Sequence, residues 1–421
     1  MKTKAVRIYG KEDLRLEEFE LPEMKEDEIL AKVVSDSICM STYKAAKQGA
    51  AHKRIPDNVH ENPTIIGHEF SGVILEVGEK WKHRYHPGQK FSIQPALNYK
   101  GSLDAPGYSY PYIGGDATYV LIPNEVMEMD CLLPYEGEGF YPASLAEPMS
   151  CVIGAFHASY HTRPGSYEHL MGIKEGGRLA ILAGAGPMGL AAISYAVFTE
   201  RRPAVLVVTD IDDERLARAE RLIPPGKIKK EKGVDLHFVN TAKMNDPVKH
   251  LKELAGGDYD DVFVFAPVAA VVEQGDRLLG RDGCLNFFAG PTDPNFSARL
   301  NFYNVHYAST HITGTSGGNN QDMIEALDLF SKGLDPSGLV THIGGLDAVI
   351  DTTLHLPEIP GGKKLIYTHL SMPLTAIDDF EEIGKDDPLF AKLAEITRRH
   401  NGLWSIEAET YLLEHGRKLE A

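Results

Sequence analysis

The chain is poor in cysteine, with four in 421 residues (Cys39, Cys131, Cys151 and Cys284), widely scattered and forming no CxxC pair. That excludes a disulfide framework and makes a reducing cytoplasm the expected setting. Positive charge is also in deficit. Lys and Arg total 43 against 60 Asp and Glu, for a net charge of −17. This argues against a general nucleic-acid or anionic-membrane surface and towards work on small molecules. No long apolar run occurs, so no membrane span is expected. The opening MKTKAVRIYGKEDLRLEEFE lacks the apolar middle of a signal peptide and begins like a strand. Repeats and low-complexity tracts are absent too.

What is present is ordinary globular material, 43% hydrophobic and 24% charged, in a chain long enough for two domains. The first 130 residues alternate short apolar runs (ILAKVVSDSI, SGVILEVG, KFSIQP, ATYVLIP) with Gly and Pro, and read as a mostly β domain. From about 140 the texture turns helical with LAEPMSCVIGAFHASYH, followed by a polar link. Strand and helix then alternate: RLAILAG with GPMGLAAISYAVF, AVLVVTD with DERLARAERL, LHFVN with PVKHLKELAGG, DDVFVFAP with VAAVVEQGDRLL. Such alternation predicts a parallel sheet covered on both faces. HITGTSGG and the helical QDMIEALDLFSKG can close that unit. After about 336 the pattern changes again, to VTHIGGLDAVIDTTLHL, KLIYTHL and a helical tail.

ILAGAGPMGLAA places Gly184, Gly186 and Gly189 in a G-x-G-x-x-G spacing between a strand and a helix, with Pro187 and Met188 inside it. In that context Gly184 serves the tight turn, Gly186 a close approach of pyrophosphate, and Gly189 helix–strand packing. Asp210 ends the next strand, where a carboxylate accepts from ribose hydroxyls and repels a 2′-phosphate, favouring NAD(H). Arg215 is placed to assist a 2′-phosphate, so NADP(H) stays open. The competing reading is a structural turn, with Asp210 a helix cap.

Three separate residues invite a metal. Cys39 in SDSICMSTYK reads alone as a small buried hydrophobe. His68 in IIGHEFSGVILEVG reads as a satisfied histidine, and Glu147 in LAEPMSC as a first-turn charge. Together, Cys, His and carboxylate suit a tetrahedral zinc with its fourth position open. Beside a hydride acceptor, that set suits alcohol–ketone oxidoreduction.

With these residues in view, the chain resembles the zinc-dependent medium-chain dehydrogenases/reductases over essentially its whole length. The resemblance implies a GroES-like β-rich catalytic domain formed by residues 1–160 and 336–421, and a Rossmann domain at 161–335, with the active site in the cleft between them. It implies Cys39, His68 and Glu147 as zinc ligands, with Glu69 an alternative or exchanging one. Ser41, two residues after the cysteine, falls where relatives carry a proton-relaying hydroxyl, and Lys44 where some place a relay histidine. Ser41 reads equally as a helix N-cap. Two positions depart from the family pattern. Met40 follows the cysteine where glycine is usual. Thr42 stands where an aspartate usually orients the zinc histidine, and its hydroxyl is a weaker acceptor. The region around 90–115 has no cysteine, so a structural zinc is not expected and one metal per chain is. Family members are typically homodimers or homotetramers.

In YGKEDLRLEEFELPEM, CMSTYK and PDNVHENPTIIGHEF the chain resembles bacterial L-sorbose 1-phosphate reductases, which implies reduction of a ketose phosphate to a polyol phosphate. A phosphate needs cations, and KAAKQGAAHKR supplies a positive stretch just after the Cys39 segment, with Lys53 and Arg54 as candidates. The plain alternative is a solvated face. A sorbitol- or threonine-type dehydrogenase, or a nucleotide-binding protein without chemistry, are the other readings.

Overall fold

The computed structural model describes residues 1–420. The chain forms two compact units, Met1–Glu147 with Asn319–Ala421, and Pro148–Gly318. The sequence placed these boundaries near 160 and 336. They fall earlier because of two helices. In Ala146–Ala158, Phe156 packs on Phe263 and Tyr195, so most of that helix goes with the second unit. Asn320–Ser331, expected to close the parallel-sheet unit, belongs instead to the first, where Asn320 donates to Met129 O and accepts from Cys131.

The second unit holds a six-stranded sheet in the order Asp235–Asn240, Val205–Asp210, Arg178–Leu182, Tyr259–Val264, Leu279–Phe287, His311–Thr313. Every pairing is parallel. Numbered along the chain this is 3-2-1-4-5-6, the doubly wound arrangement of dinucleotide-binding domains. Its central strands (RLAIL, YDDVFV) are buried on both faces, which is why they read as near-continuous apolar runs.

The first unit is built on an eight-stranded sheet. Its central strand, Ile29–Ile38, pairs antiparallel with Phe70–Val77 on one side. On the other it pairs with Tyr119–Ile122 at one end and Lys363–Tyr367 at the other. Antiparallel neighbours finish where the central strand begins and begin where it finishes. The carboxyl end of Ile29–Ile38 therefore lies between the amino ends of Phe70–Val77 and Lys363–Tyr367. Cys39 and His68–Glu69 lie just outside two of those ends, and Lys363 is the first residue of the third. Three stretches far apart in the chain converge there. No helix among the described residues is long and apolar enough to cross a membrane.

Candidate metal centre and cofactor turn

Cys39 leaves the central strand with extended backbone (φ −115°, ψ 149°) and is itself the N-cap of the helix Met40–Gln48. Its carbonyl accepts from Thr42 and Tyr43 N–H. Ser41 therefore lies inside the first turn and is not the cap. Its hydroxyl donates to Cys39 Sγ at 3.1 Å and sits 3.1 Å from His68 Nε2. Thr42, buried one residue further on, has its hydroxyl 3.2 Å from His68 Nδ1. That contact occupies the ring nitrogen facing away from Cys39 and leaves Nε2 for the site. Tyr108 OH is 3.4 Å from Nε2, and its ring packs on the imidazole at 4.9 Å.

The donor atoms of Cys39, His68 and Glu69 all lie within 4.8 Å of one another. Burial pushes the Cys39 thiol up to about 12, and the Glu69 and Glu147 charges push the same way. Burial lowers His68 to about 4, so the imidazole is neutral, as a ligand must be. A thiol, a neutral imidazole and carboxylates buried together call for a cation, and this donor set fits zinc. Lys363 does not meet that need, because Glu69 takes it: its ammonium donates to both carboxylate oxygens at 2.6 Å. Burial alone would lower this ammonium, but the Glu69 and Cys39 charges outweigh it and raise it. Glu147, in the first turn of Ala146–Ala158, stands outside the tight group yet close enough for its charge to act on Cys39, Lys363 and Tyr108.

Behind this group lie two carboxyls that sequence reasoning did not single out. Asp36 Oδ1 accepts from Glu69 N–H at 3.2 Å, and the Asp116 side chain pairs with that of Asp36. Burial raises both groups. Lys363 was missed because 294 residues separate it from Glu69. Its only sequence signal is a lysine pair heading an apolar strand, KKLIY.

The basic run behaves unevenly. Lys53 is exposed and Lys44 half-buried on the helix Met40–Gln48. Arg54 folds its guanidinium over the Tyr108 ring, 5.5 Å from the centroid. Its Nε is buried without a partner, and it has no carboxylate partner among the described residues. His52 stacks on Tyr108 at 5.7 Å. Burial lowers it to about 4, helped by Arg54, Lys53 and Lys44. Tyr108 thus joins Arg54 to His68.

In the second unit, Gly186 caps the helix Pro187–Phe198, which Pro187 and Met188 open. A Cβ at Gly186 would meet nothing within 4 Å, so the turn leaves an open cradle at a helix N-terminus. A Cβ at Gly189 would lie 2.0 Å from Gly184 O, so glycine is required for packing. Asp210 is buried and braces the turn. Its carboxylate accepts from Ala185 N–H at 3.1 Å and from Ile211 and Asp212 N–H at 2.8 and 3.2 Å. The helix cap is Asp212, not Asp210. Arg215 Nε faces that Asp212 at 3.6 Å. These residues fit a dinucleotide.

Comparisons agree with both halves. Residues 25–130 match the alcohol dehydrogenase GroES-like domain, and residues 187–332 match the zinc-binding dehydrogenase model. The chain is 54% identical to the mannitol-1-phosphate 5-dehydrogenase of Aliivibrio fischeri, across 98% of this chain and 97% of that one. It is 51% identical to the L-sorbose 1-phosphate reductase of Klebsiella pneumoniae, across 98% of each. Among solved structures, 2R,3R-butanediol dehydrogenase from Bacillus subtilis shares the fold with a TM-score of 0.70 at 22% identity, covering 87% of this chain and 99% of that one. Identity sustained over whole chains, with both family models matched in order, makes the protein a member of the zinc-dependent medium-chain dehydrogenase/reductase family.

Proposed function

We propose that the protein interconverts a ketose phosphate and a polyol phosphate with NAD(H), L-sorbose 1-phosphate to D-glucitol 6-phosphate being the leading pair. The observation that carries the phosphate is Arg54. A guanidinium without a carboxylate partner, laid on the tyrosine that packs against His68, is suited to a phosphoryl group a few bonds from the reacting carbon. Lys53, exposed beside it, lends long-range charge. The names of the two relatives, both hexose- or hexitol-phosphate enzymes, point the same way, and the mannitol-1-phosphate name adds a second substrate to the panel.

In this reading Cys39, His68 and Glu147 hold one zinc per chain, and Glu69, neutralised by Lys363, exchanges onto it. Bound zinc supplies Lewis acidity at the substrate oxygen, and the nicotinamide carries the hydride. Thr42 orients His68. Ser41, wedged between Cys39 and His68, holds the proton of the substrate oxygen and passes it outward, with Lys44 the next member. Gly184, Gly186, Pro187, Met188 and Gly189 cradle the pyrophosphate. Asp210 sets the preference for NAD(H), and Arg215, drawn to Asp212, leaves NADP(H) a weaker alternative. The setting is cytoplasmic and the assembly a homodimer or homotetramer, supported by the unpaired outer edge of His311–Thr313 and the exposed Phe302, Tyr303 and Tyr307 beside it. A non-catalytic role drew its support from Thr42, which instead reaches His68 Nδ1.

NADH oxidation should respond to L-sorbose 1-phosphate far more than to sorbose, and a zinc chelator should abolish it. Arg54→Gln should raise KM for the phosphorylated ketose about tenfold or more, the loss of a charge-assisted contact, with kcat little changed. Equal turnover of sorbose and its phosphate would point to a sorbitol-type dehydrogenase instead.

A further inference from the structure

The helix Tyr141–Ser144 leads directly into the helix that carries Glu147, and it is anchored with unusual thoroughness. Three serines from three adjacent strands hold it to the sheet. Ser71 donates to Phe140 O at 2.8 Å, Ser92 donates to Ala143 O at 2.6 Å, and Ser35 Oγ meets Ser144 Oγ at 2.8 Å. Its amino end has no local side-chain cap. The first N–H groups of a helix need an acceptor, and here it comes from some 270 residues later. Glu409, in the helix Ile406–His415 and 1% exposed, accepts from Phe140 N–H at 2.6 Å and from Tyr141 N–H at 2.8 Å. Its Oε1 also accepts from Tyr367 OH at 2.9 Å, at the far end of the strand that begins with Lys363. Oε2 presses so closely on Gly139 that a Cβ there would lie 2.3 Å from it.

A carboxylate taken out of water is costly unless its oxygens are filled with donors, and three donors fill this one. A serine or asparagine at position 140 would reach only Ala143 N–H, since Pro142 has none, and would leave the Phe140 and Tyr141 N–H groups unmet. What the distant carboxylate adds is a fixed position for the whole short helix, relative to the strand holding Lys363. The residues next along the chain from that helix are Leu145, Ala146 and Glu147.

We infer that Glu409 is a positioning residue for the metal centre, holding the Tyr141–Ser144 helix so that Glu147 is presented to Cys39 and His68. The inference rests on the reading of Glu147 as a zinc ligand. It assigns a role in metal retention to the carboxy-terminal helices, whose buried residues (Phe390, Leu393 and Leu412 among them) otherwise form a core cluster with Tyr141, Leu145 and Tyr367.

Zinc release from the loaded protein to 4-(2-pyridylazo)resorcinol, followed by absorbance at pH 8, tests it. Glu409→Gln keeps the shape but turns an N–H₂ towards an N–H donor. It should speed release about ten- to a hundredfold, the range for partners one step removed from a metal. Glu147→Gln should speed release as well, and the double variant should release no faster than Glu147→Gln alone. Tyr367→Phe removes one donor and leaves the carboxylate on both amides. It should give a smaller acceleration in the same direction, and it carries the test if Glu409→Gln does not fold. A lowered melting temperature with wild-type release would make Glu409 a structural staple only and overturn the inference. So would full additivity with Glu147→Gln. If Glu147→Gln itself releases zinc at the wild-type rate, the ligand assignment fails, and the role of Glu409 with it.

Discussion

A hydroxyl at position 42 reaches the imidazole nitrogen that a carboxylate would engage with a charge. Thr42 Oγ1 engages His68 Nδ1, holding the ring's orientation without placing a further carboxylate beside Glu69 and Glu147. Thr42→Val, close in shape, should therefore weaken zinc binding roughly tenfold while leaving the melting temperature of the metal-free protein nearly unchanged. Competition with a chelator of known affinity measures the first and calorimetry the second; unchanged zinc affinity would show that packing alone holds the ring. This scale was the most readable from sequence where the chemistry is compact. Cys39, Ser41 and Thr42 fall in four residues, and His68 and Glu69 are adjacent, so the family resemblance could be carried onto them position by position. Lys363, Tyr108 and Glu409 escaped because what defines each is a partner that only the fold brings near. Lys53 and Arg54 stand side by side in sequence and part in space. No local pattern says which of two neighbouring cations turns inward.

At the scale of elements, the alternating strands and helices of the second unit were legible because burial on both faces leaves apolar runs, and glycines mark the turn after Arg178–Leu182. Its edges were not. The helix Phe302–Tyr307 went unread because its aromatics face outward and show no inward stripe. The helix Asn320–Ser331 has a clear pattern and even a capping box at Asn319, yet periodicity does not say which core it joins. The glycine turn yields a paired prediction. Gly186→Ala places a methyl in open space, so it should cost at least 1.4 kcal/mol, a tenfold loss, in NADH affinity without lowering the melting temperature. Gly189→Ala drives a methyl into Gly184 O and should lower both. Fluorescence titration with NADH beside thermal melts separates the two; a Gly186→Ala protein binding NADH normally would remove the pyrophosphate from that cradle.

For the molecule as a whole, the sheet edge at His311–Thr313, flanked by Phe302, Tyr303 and Tyr307 at 73, 68 and 61% exposure, is an apolar margin that isolated proteins rarely leave open. Light scattering on a sizing column should find a dimer or tetramer, and Phe302→Glu with Ile312→Glu should shift it to a smaller species; a wild-type monomer at micromolar concentration would refute the assembly. The discontinuity of the first unit was legible from the family resemblance, with the β-like texture of KLIYTHL only agreeing, since a returning strand carries no mark of its distant partner. That return has a consequence in time. Thr368 bonds to Val33 across 335 residues, and Lys363–Tyr367 forms one flank of the strand leading to Cys39. At roughly 5–20 residues per second of synthesis, Cys39, His68 and Glu69 wait for tens of seconds on the ribosome before Lys363 is made. During that interval Glu69 lacks its counter-ion and the Cys39 strand has an unpaired edge. The thiol is then exposed to whatever metal the cell offers. The group is complete only once residue 363 has been made, and a nascent chain stalled earlier would present Cys39 on a strand with an open edge.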